Sequence, residues 1–351
     1  MTTWHPRPGP IPAAMYTLRD LLADAIILHG PKGCCFRTAR LLEKDGVRVL
    51  VTGMEEDDFV FGAHERLVRA LRYAEERLEP ELMGVVGTCV SAIIGEDLEA
   101  AVEEANPSAT VVTVDVHNGL GPNTEGVIRT LERAAEAGVI PEREVDRQRR
   151  LMRAAAELER RRGMASREYL EPWSGHDPER AARALLDFRV RDVLAVLNAK
   201  KETAYLFADP VLELGRRGAR VLANLSAESG LPKVREDART LARIFRRAGV
   251  EFEVTGALDE YAVTGDLLAE RIEELEPEAV LIAGIPHAVA PKELSVDATF
   301  VAVTDGLREA ASLRQLGYDY VVVEEEAHAR VLGHRDVVPS RLGDALRQVA
   351  T

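Results

Sequence analysis

The feature that most constrains this fold is the alternation of short apolar runs with longer amphipathic stretches along the whole chain. Short apolar runs separated by helical patterns are typical of parallel strands buried on both faces by helices. The pattern therefore predicts an α/β protein with two to three Rossmann-like, parallel-sheet domains. The predicted strands are 24–28, 47–52, 83–87, 110–114, 193–197, 219–223, 251–254, 279–283, 299–303 and 320–323.

The domain limits follow from changes in composition. We expect a first α/β domain over 1–162 that ends in a long charged helix near 141–162. The polar, Pro- and Gly-bearing stretch that follows favours a connection over 163–190. A second α/β domain over 191–284 and a third α/β region over 285–351 complete the expected organisation.

The charge and the apolar runs exclude some classes of function. The net charge is −14, which argues against nucleic acid as a partner because phosphate binding requires clustered Lys and Arg. The longest apolar runs are interrupted well before the roughly 18 residues that a membrane span needs. The beginning MTTWHPRPGP lacks the apolar core of a signal peptide. We therefore expect a cytoplasmic protein without a membrane segment.

The three cysteines, Cys34, Cys35 and Cys89, are too few for a disulfide framework. Cys34 and Cys89 each follow a predicted strand at the start of a helical pattern, which is the edge where parallel sheets bind ligands. Two buried structural thiols are the alternative interpretation. Three cysteines without CxxC spacing cannot make a four-thiolate site within one chain, whereas two chains related by a twofold axis can supply four thiolates to one 4Fe-4S cluster.

Three motifs carry a family resemblance: HGPKGC at 29–34, GMEEDDFVFGAHERLVRAL at 53–71 and GTCVSAIIGEDLEA at 87–100. In order and spacing they resemble the core of nitrogenase component 1 and its relatives. The chain departs from nitrogenase in having no cysteine in the upstream WHPRPGPIPAA and none after Cys89. These departures exclude dinitrogen reduction, and the short two-cysteine form most resembles the relatives that act as reductive cyclases on a nickel tetrapyrrole.

The resemblance implies a fold, an activity and partners. It implies the nitrogenase component 1 type of α/β fold, and a homodimer that holds one bridging 4Fe-4S cluster through Cys34 and Cys89 of both subunits. It also implies ATP-dependent ring reduction and lactam closure on a nickel tetrapyrrole, in the biosynthesis of the coenzyme of methyl-coenzyme M reductase. Because the sequence has no GxxxxGK[ST] phosphate loop, ATP hydrolysis is expected in a separate iron-sulfur reductase similar to the nitrogenase iron protein. A scaffold for metal-cluster assembly, or a reductase of another tetrapyrrole, remains an alternative.

Several other residues are candidates for substrate binding. Arg37 and Arg40 share one face of the helix after Cys34, and Lys200 follows a strand at its ligand edge. His117 and His287 also follow strands and are candidates for nickel ligation or proton donation. Solvated surface charge and ordinary hydrogen bonding are the competing explanations for all five. Cys35 is expected to pack as a small apolar residue, with cluster ligation as its alternative, and no catalytic residue is assigned.

Overall fold

The structure is a computed structural model that describes residues 9–162, 164 and 173–349. It divides into two compact units. The first unit takes in the described chain up to Arg149 together with Leu231–Lys233, and the second takes in the described residues between Arg150 and Gly230 and those from Val234 onward. The division at Arg149 falls inside the long charged helix that was expected to close the first domain.

The first unit is built on a four-stranded parallel sheet in the order β2-β1-β3-β4. The central strands β1 and β3 are buried because helices cover the sheet, whereas β2 at its edge is partly exposed. Ile27, Leu67, Leu71 and Val85 belong to the core of this unit. The elements are α1 Pro10–Asp20, β1 Ala25–Leu28, α2 Phe36–Lys44, β2 Arg48–Val51, α3 Asp58–Phe61, α4 His64–Leu78, β3 Leu82–Val86, α5 Cys89–Ile94, α6 Leu98–Ala105, β4 Thr110–Val114, α7 Asn123–Glu136 and α8 Glu142–Arg161, which runs past the division.

The second unit is built on a six-stranded parallel sheet in the order β10-β9-β8-β5-β6-β7. Its core includes Val196, Ile282 and Phe300. The elements are α9 Pro178–Leu186, β5 Val193–Asn198, α10 Ala204–Arg216, β6 Arg220–Ala223, α11 Pro232–Arg247 (its first two residues counted with the first unit), β7 Glu253–Val254, α12 Gly265–Leu275, β8 Ala279–Gly284, β9 Thr299–Thr304, α13 Glu309–Gln315, β10 Tyr320–Val323, α14 Ala327–Val331 and α15 Arg341–Val349.

The two parallel sheets confirm the predicted α/β class. Within its described residues, the expected third region, 285–351, has no sheet of its own, because β9 pairs with β8 and β10 pairs with β9. The stretch expected as a connection, 163–190, lies partly outside the described residues and contains α9. That helix forms because Asp177 caps its N-terminus, Pro178 occupies the first turn, and Ala181 and Leu185 are buried.

Among the described helices, none combines the length and the apolar character that a bilayer crossing demands.

Candidate functional site

The cysteines lie at the point where the strand order of the first sheet reverses. β1 pairs with β2 on one side and with β3 on the other, so the chain leaves β1 and β3 in different directions at the same edge. Crevices at such reversals are where parallel sheets bind ligands. Cys34 follows β1 and Cys89 follows β3, and the topology therefore brings both to one edge of the first unit.

Residues 30–35, here called the cysteine turn, depend on two glycines. A Cβ on Gly30 would stand 2.6 Å from Cγ2 of Thr88, so only glycine permits this close approach. Gly33 has a φ of +84°, which glycine adopts without strain. Cys35 has a φ of +51° and turns the chain into α2. This left-handed conformation is uncommon for a residue other than glycine.

The turn before Cys89 is fixed by Thr88, which caps α5. The backbone N–H of Ser91 donates to Thr88 Oγ1, and Ser91 Oγ accepts from the Thr88 backbone. The Thr88 hydroxyl donates to the carbonyl of His29 over 2.9 Å. One threonine thus connects the cysteine turn to the helix that Cys89 opens.

The loop after β4 also reaches Cys89. The backbone N–H of Asn118 donates to Cys89 Sγ over 3.4 Å, and His117 Nδ1 accepts from the Gly119 backbone over 3.1 Å. The predicted site residue His117 therefore lies in the loop that contacts Cys89, and its imidazole stabilises that loop. Such an N–H to sulfur contact is typical of the surroundings of a thiolate or of a cluster sulfur.

All three thiols are free and partly exposed. The hydrogen bond between Cys35 and Cys34 lowers the pKa of Cys34 to about 7, against the opposite effect of burial. The same hydrogen bond raises the pKa of Cys35, and burial and the electrostatic effect of the neighbouring Cys34 and Cys89 add to the rise. In this arrangement Cys35 donates and Cys34 carries the thiolate.

Two buried side chains that sequence reasoning did not combine support the turn. His29 is fully buried, and its Nε2 lies 3.1 Å from Glu96 Oε2 while its Nδ1 lies 3.1 Å from Thr52 Oγ1. Burial lowers the pKa of His29 more than Glu96 raises it, so the neutral imidazole donates from Nε2 and accepts at Nδ1. A histidine placed between an apolar strand and a glycine turn needs a polar partner, and this feature of the sequence could have prompted a search for a residue such as Glu96.

Apolar side chains surround this edge and face solvent. Ile93 is 82% exposed and lies four residues after Cys89 on α5, so both share one side of the helix. Phe36, directly after Cys35, is 65% exposed, and Val60 and Phe61 on α3 are 76% and 86% exposed. We call Phe36, Val60, Phe61 and Ile93 the apolar face. Exposed apolar groups of this size mark interaction surfaces.

The predicted arginines differ in their surroundings. Arg40 is exposed and forms an ion pair with Glu43 on its own helix. Arg37 is exposed, and within the described part of the chain it forms no hydrogen bond or ion pair. Arg37 is therefore the more available of the two cations for a substrate or partner.

Lys200 and His287 lie in the second unit, after β5 and β8, which are neighbours where its strand order reverses. Burial lowers the pKa of His287, and the positive charge of Lys200 lowers it further. The sequence placed each at a strand end, and the sheet order brings them together.

Residues 12–152 match the family described as nitrogenase component 1 type oxidoreductase. A protein of Methanothermobacter thermautotrophicus, component CfbD of the Ni-sirohydrochlorin a,c-diamide reductive cyclase complex, is 51% identical over 98% of both chains. The same component of Methanocaldococcus jannaschii is 47% identical over 98% of both chains. That of Methanosarcina acetivorans is 43% identical, over 99% of this chain and 97% of its own. These matches confirm the resemblance carried by the three sequence motifs.

Proposed function

Because this chain belongs to the family of component CfbD of the Ni-sirohydrochlorin a,c-diamide reductive cyclase complex, we propose that it is the catalytic component of such a complex. The observation that carries the proposal is the identity of 43–51% along nearly the whole of both chains. The reaction is a six-electron reduction of the nickel tetrapyrrole ring system with closure of a lactam. It belongs to the biosynthesis of the nickel coenzyme of methyl-coenzyme M reductase.

The two motif cysteines are proposed to hold an iron-sulfur cluster between two copies of the chain. Within the described residues, no group of three or more His, Cys, Asp or Glu side chains is arranged to hold a metal ion. Two cysteines per chain make a four-thiolate site only when two chains meet. Cys34 and Cys89 fit this role because both are free, partly exposed and positioned at one sheet edge. A bound 4Fe-4S cluster supplies one-electron transfer.

The apolar face is proposed as the surface that meets the second copy. It lies beside both cysteines, as a dimer that shares a cluster requires, and no helix or strand of the first unit covers Phe61 or Ile93 in the described chain. Burial of such side chains contributes about 1.5–3 kcal/mol each. Phe61→Asp should therefore convert the dimer to a monomer in sedimentation experiments and prevent stable cluster binding. Tyr73→Asp, at another exposed aromatic residue of the first unit, should leave the dimer intact.

Electrons are proposed to come from a separate ATP-hydrolysing iron-sulfur reductase similar to the nitrogenase iron protein. The sequence contains no phosphate loop, and the relatives are named as components of a complex. Arg37, Arg40 and His117 are proposed to meet the substrate or this partner, because all three lie on or beside the segments that carry the cysteines.

The test is reconstitution of turnover without oxygen. The cluster-loaded protein, its cognate reductase, ATP, Mg²⁺ and a low-potential electron donor should convert Ni-sirohydrochlorin a,c-diamide to the lactam-bearing product. The protein with ATP alone should be inert. Cys89→Ala should abolish turnover, and Cys35→Ala should retain it. Arg37→Ala should lower turnover with the cluster intact. Failure of the loaded pair to change this substrate, together with reduction of a different tetrapyrrole, would overturn the proposed activity.

A further inference from the structure

The second unit contains a recess of polar side chains at the carboxyl edge of its sheet. Lys200 follows β5, His287 follows β8 and Asp305 follows β9. These three strands are parallel neighbours, so their ends meet at one edge beside the reversal of strand order. Glu309, in the first turn of α13, completes the group.

Lys200 provides an ammonium group that lies over an aromatic ring. It forms no hydrogen bond or ion pair with the described residues, and its Nζ lies 5.2 Å from the centre of the Tyr261 ring. Protein surrounds Lys200, yet part of its side chain stays accessible to solvent. Burial acts to lower its pKa, but Tyr261 and the carboxylates of Asp305 and Glu309 raise it overall. Lys200 is thus a charged donor at the floor of a recess.

His287 adds a buried polar atom without a hydrogen bond. The side chain is 3% exposed, and no described residue forms a hydrogen bond with its Nδ1. The nearest charged oxygen, Glu309 Oε2, stands 3.8 Å away, beyond hydrogen-bonding distance. Because native proteins satisfy most buried polar atoms, an orphaned nitrogen at this depth points to a ligand group that the recess accommodates.

The carboxylates determine what kind of ligand the recess accepts. Glu309 Oε2 accepts from the Thr304 hydroxyl over 3.0 Å, and Asp305 Oδ2 lies 3.4 Å from Nδ1 of the exposed His328. One ammonium group thus faces two carboxylates and an imidazole. A carboxylate ligand would be repelled by Asp305 and Glu309, and a cationic ligand by Lys200. A neutral ligand that both accepts and donates hydrogen bonds matches every group.

We propose that this recess binds a primary carboxamide side chain of the substrate. The carboxamide oxygen accepts from Lys200, and the two N–H groups of its NH₂ donate to His287 Nδ1 and to the carboxylate of Glu309, beside Asp305. This inference rests on the proposed function, since the relatives are named for a substrate that carries two amides. It makes the recess the element that distinguishes the a,c-diamide from its unamidated parent, because an unamidated side chain would bring a third carboxylate.

The experiment compares two ligands in the cluster-loaded protein without its reductase. Ni-sirohydrochlorin a,c-diamide and unamidated Ni-sirohydrochlorin are titrated separately, and binding is followed by the absorbance of the tetrapyrrole. The wild-type protein should prefer the diamide. Glu309→Gln and Asp305→Asn remove a negative charge at nearly constant shape, so each should weaken the diamide, strengthen the unamidated ligand and reduce the preference about tenfold or more. Lys200→Met should weaken the diamide by a similar factor.

Glu325→Gln, which neutralises an exposed carboxylate of the same unit, is the matched control and should leave the preference unchanged. Circular dichroism and iron content establish that each variant is folded and loaded. An unchanged preference in both Asp305→Asn and Glu309→Gln, in a protein that turns over the diamide with its reductase, overturns the carboxamide site alone. A wild-type protein that neither binds nor converts the diamide overturns the proposed function, and this inference with it.

Discussion

Substitution of Glu96 by alanine should destabilise the first unit through two lost hydrogen bonds. Glu96 is the acceptor for His29 Nε2 at 3.1 Å and for the Ala63 backbone N–H at 2.6 Å. Its side chain is only 6% exposed, so water has little room to replace it. An unsatisfied buried donor costs about 1–3 kcal/mol. Glu96→Ala should therefore lower the free energy of unfolding of the first unit by about 2–4 kcal/mol.

The assay must report the first unit by itself, because a chain with two compact units need not unfold in one step. Hydrogen exchange of the β1 and β3 peptides, measured by mass spectrometry in the absence of oxygen, meets this need. The expected loss corresponds to exchange that is roughly 30-fold to 700-fold faster in these strands. Glu103→Ala, at an exposed position of α6, should change the exchange little. A change below about 0.5 kcal/mol in Glu96→Ala would refute the role given to the His29–Glu96 pair.

Three further predictions concern stability. Gly30→Ala places a Cβ 2.6 Å from Thr88 and should cost about 1–3 kcal/mol in urea unfolding of the first unit; an unchanged midpoint would contradict the close approach. Asp209→Ala removes the carboxylate that accepts two hydrogen bonds from Arg347 and should cost the second unit about 2–4 kcal/mol, seen as exposure of α15 to proteolysis. Burial lowers the pKa of His287 in the folded protein to about 3, whereas a histidine of the unfolded chain keeps a pKa near 6.5. Between these two pH values the unfolded chain binds one more proton than the folded one, so the free energy of unfolding falls as the pH falls. Replacement of this histidine by glutamine should make the pH dependence shallower in that window, and an equal slope in both proteins would show that the imidazole is not held neutral.

The strands were predictable because buried parallel strands are continuous apolar runs. β4 and β10 occupy the predicted 110–114 and 320–323, and β1 begins one residue later than predicted. α9 was missed because the Pro- and Gly-bearing residues before it suggested a connection, whereas Asp177 and Pro178 are a helix start signal. Of the features of the fold, the order of strands within a sheet is the one that a single sequence conveys least. Because of that order, β9 continues the sheet of β8 and does not begin a third sheet.

The candidate site was predictable where a local motif marks it. Cys34 and Cys89 stand in motifs and at strand ends, so their placement at one sheet edge could be anticipated. The His29–Glu96 contact joins residues 67 positions apart in the chain, and no local pattern reports such a pairing. The same holds for Lys200 and His287, whose shared surroundings depend on β8 pairing with β5.

The exposed apolar face shows a different limit of sequence reasoning. Phe61 stands in the same motif as its acidic neighbours, where an apolar residue would ordinarily be assigned to the core. In the structure it is 86% exposed, because α3 is a single short turn that lies outside the packed helices. Only the arrangement of the unit in three dimensions distinguishes such a residue from a core residue.

Native mass spectrometry of the anaerobically reconstituted protein is the sharpest test of the shared cluster, because it reports subunits and cluster in one particle. We expect a dimer that carries the mass of one 4Fe-4S cluster in the wild-type protein and in Cys35→Ala, and no cluster in Cys34→Ala or Cys89→Ala. One cluster on each monomer, or a complete cluster retained in Cys89→Ala, would contradict a cluster shared between two subunits.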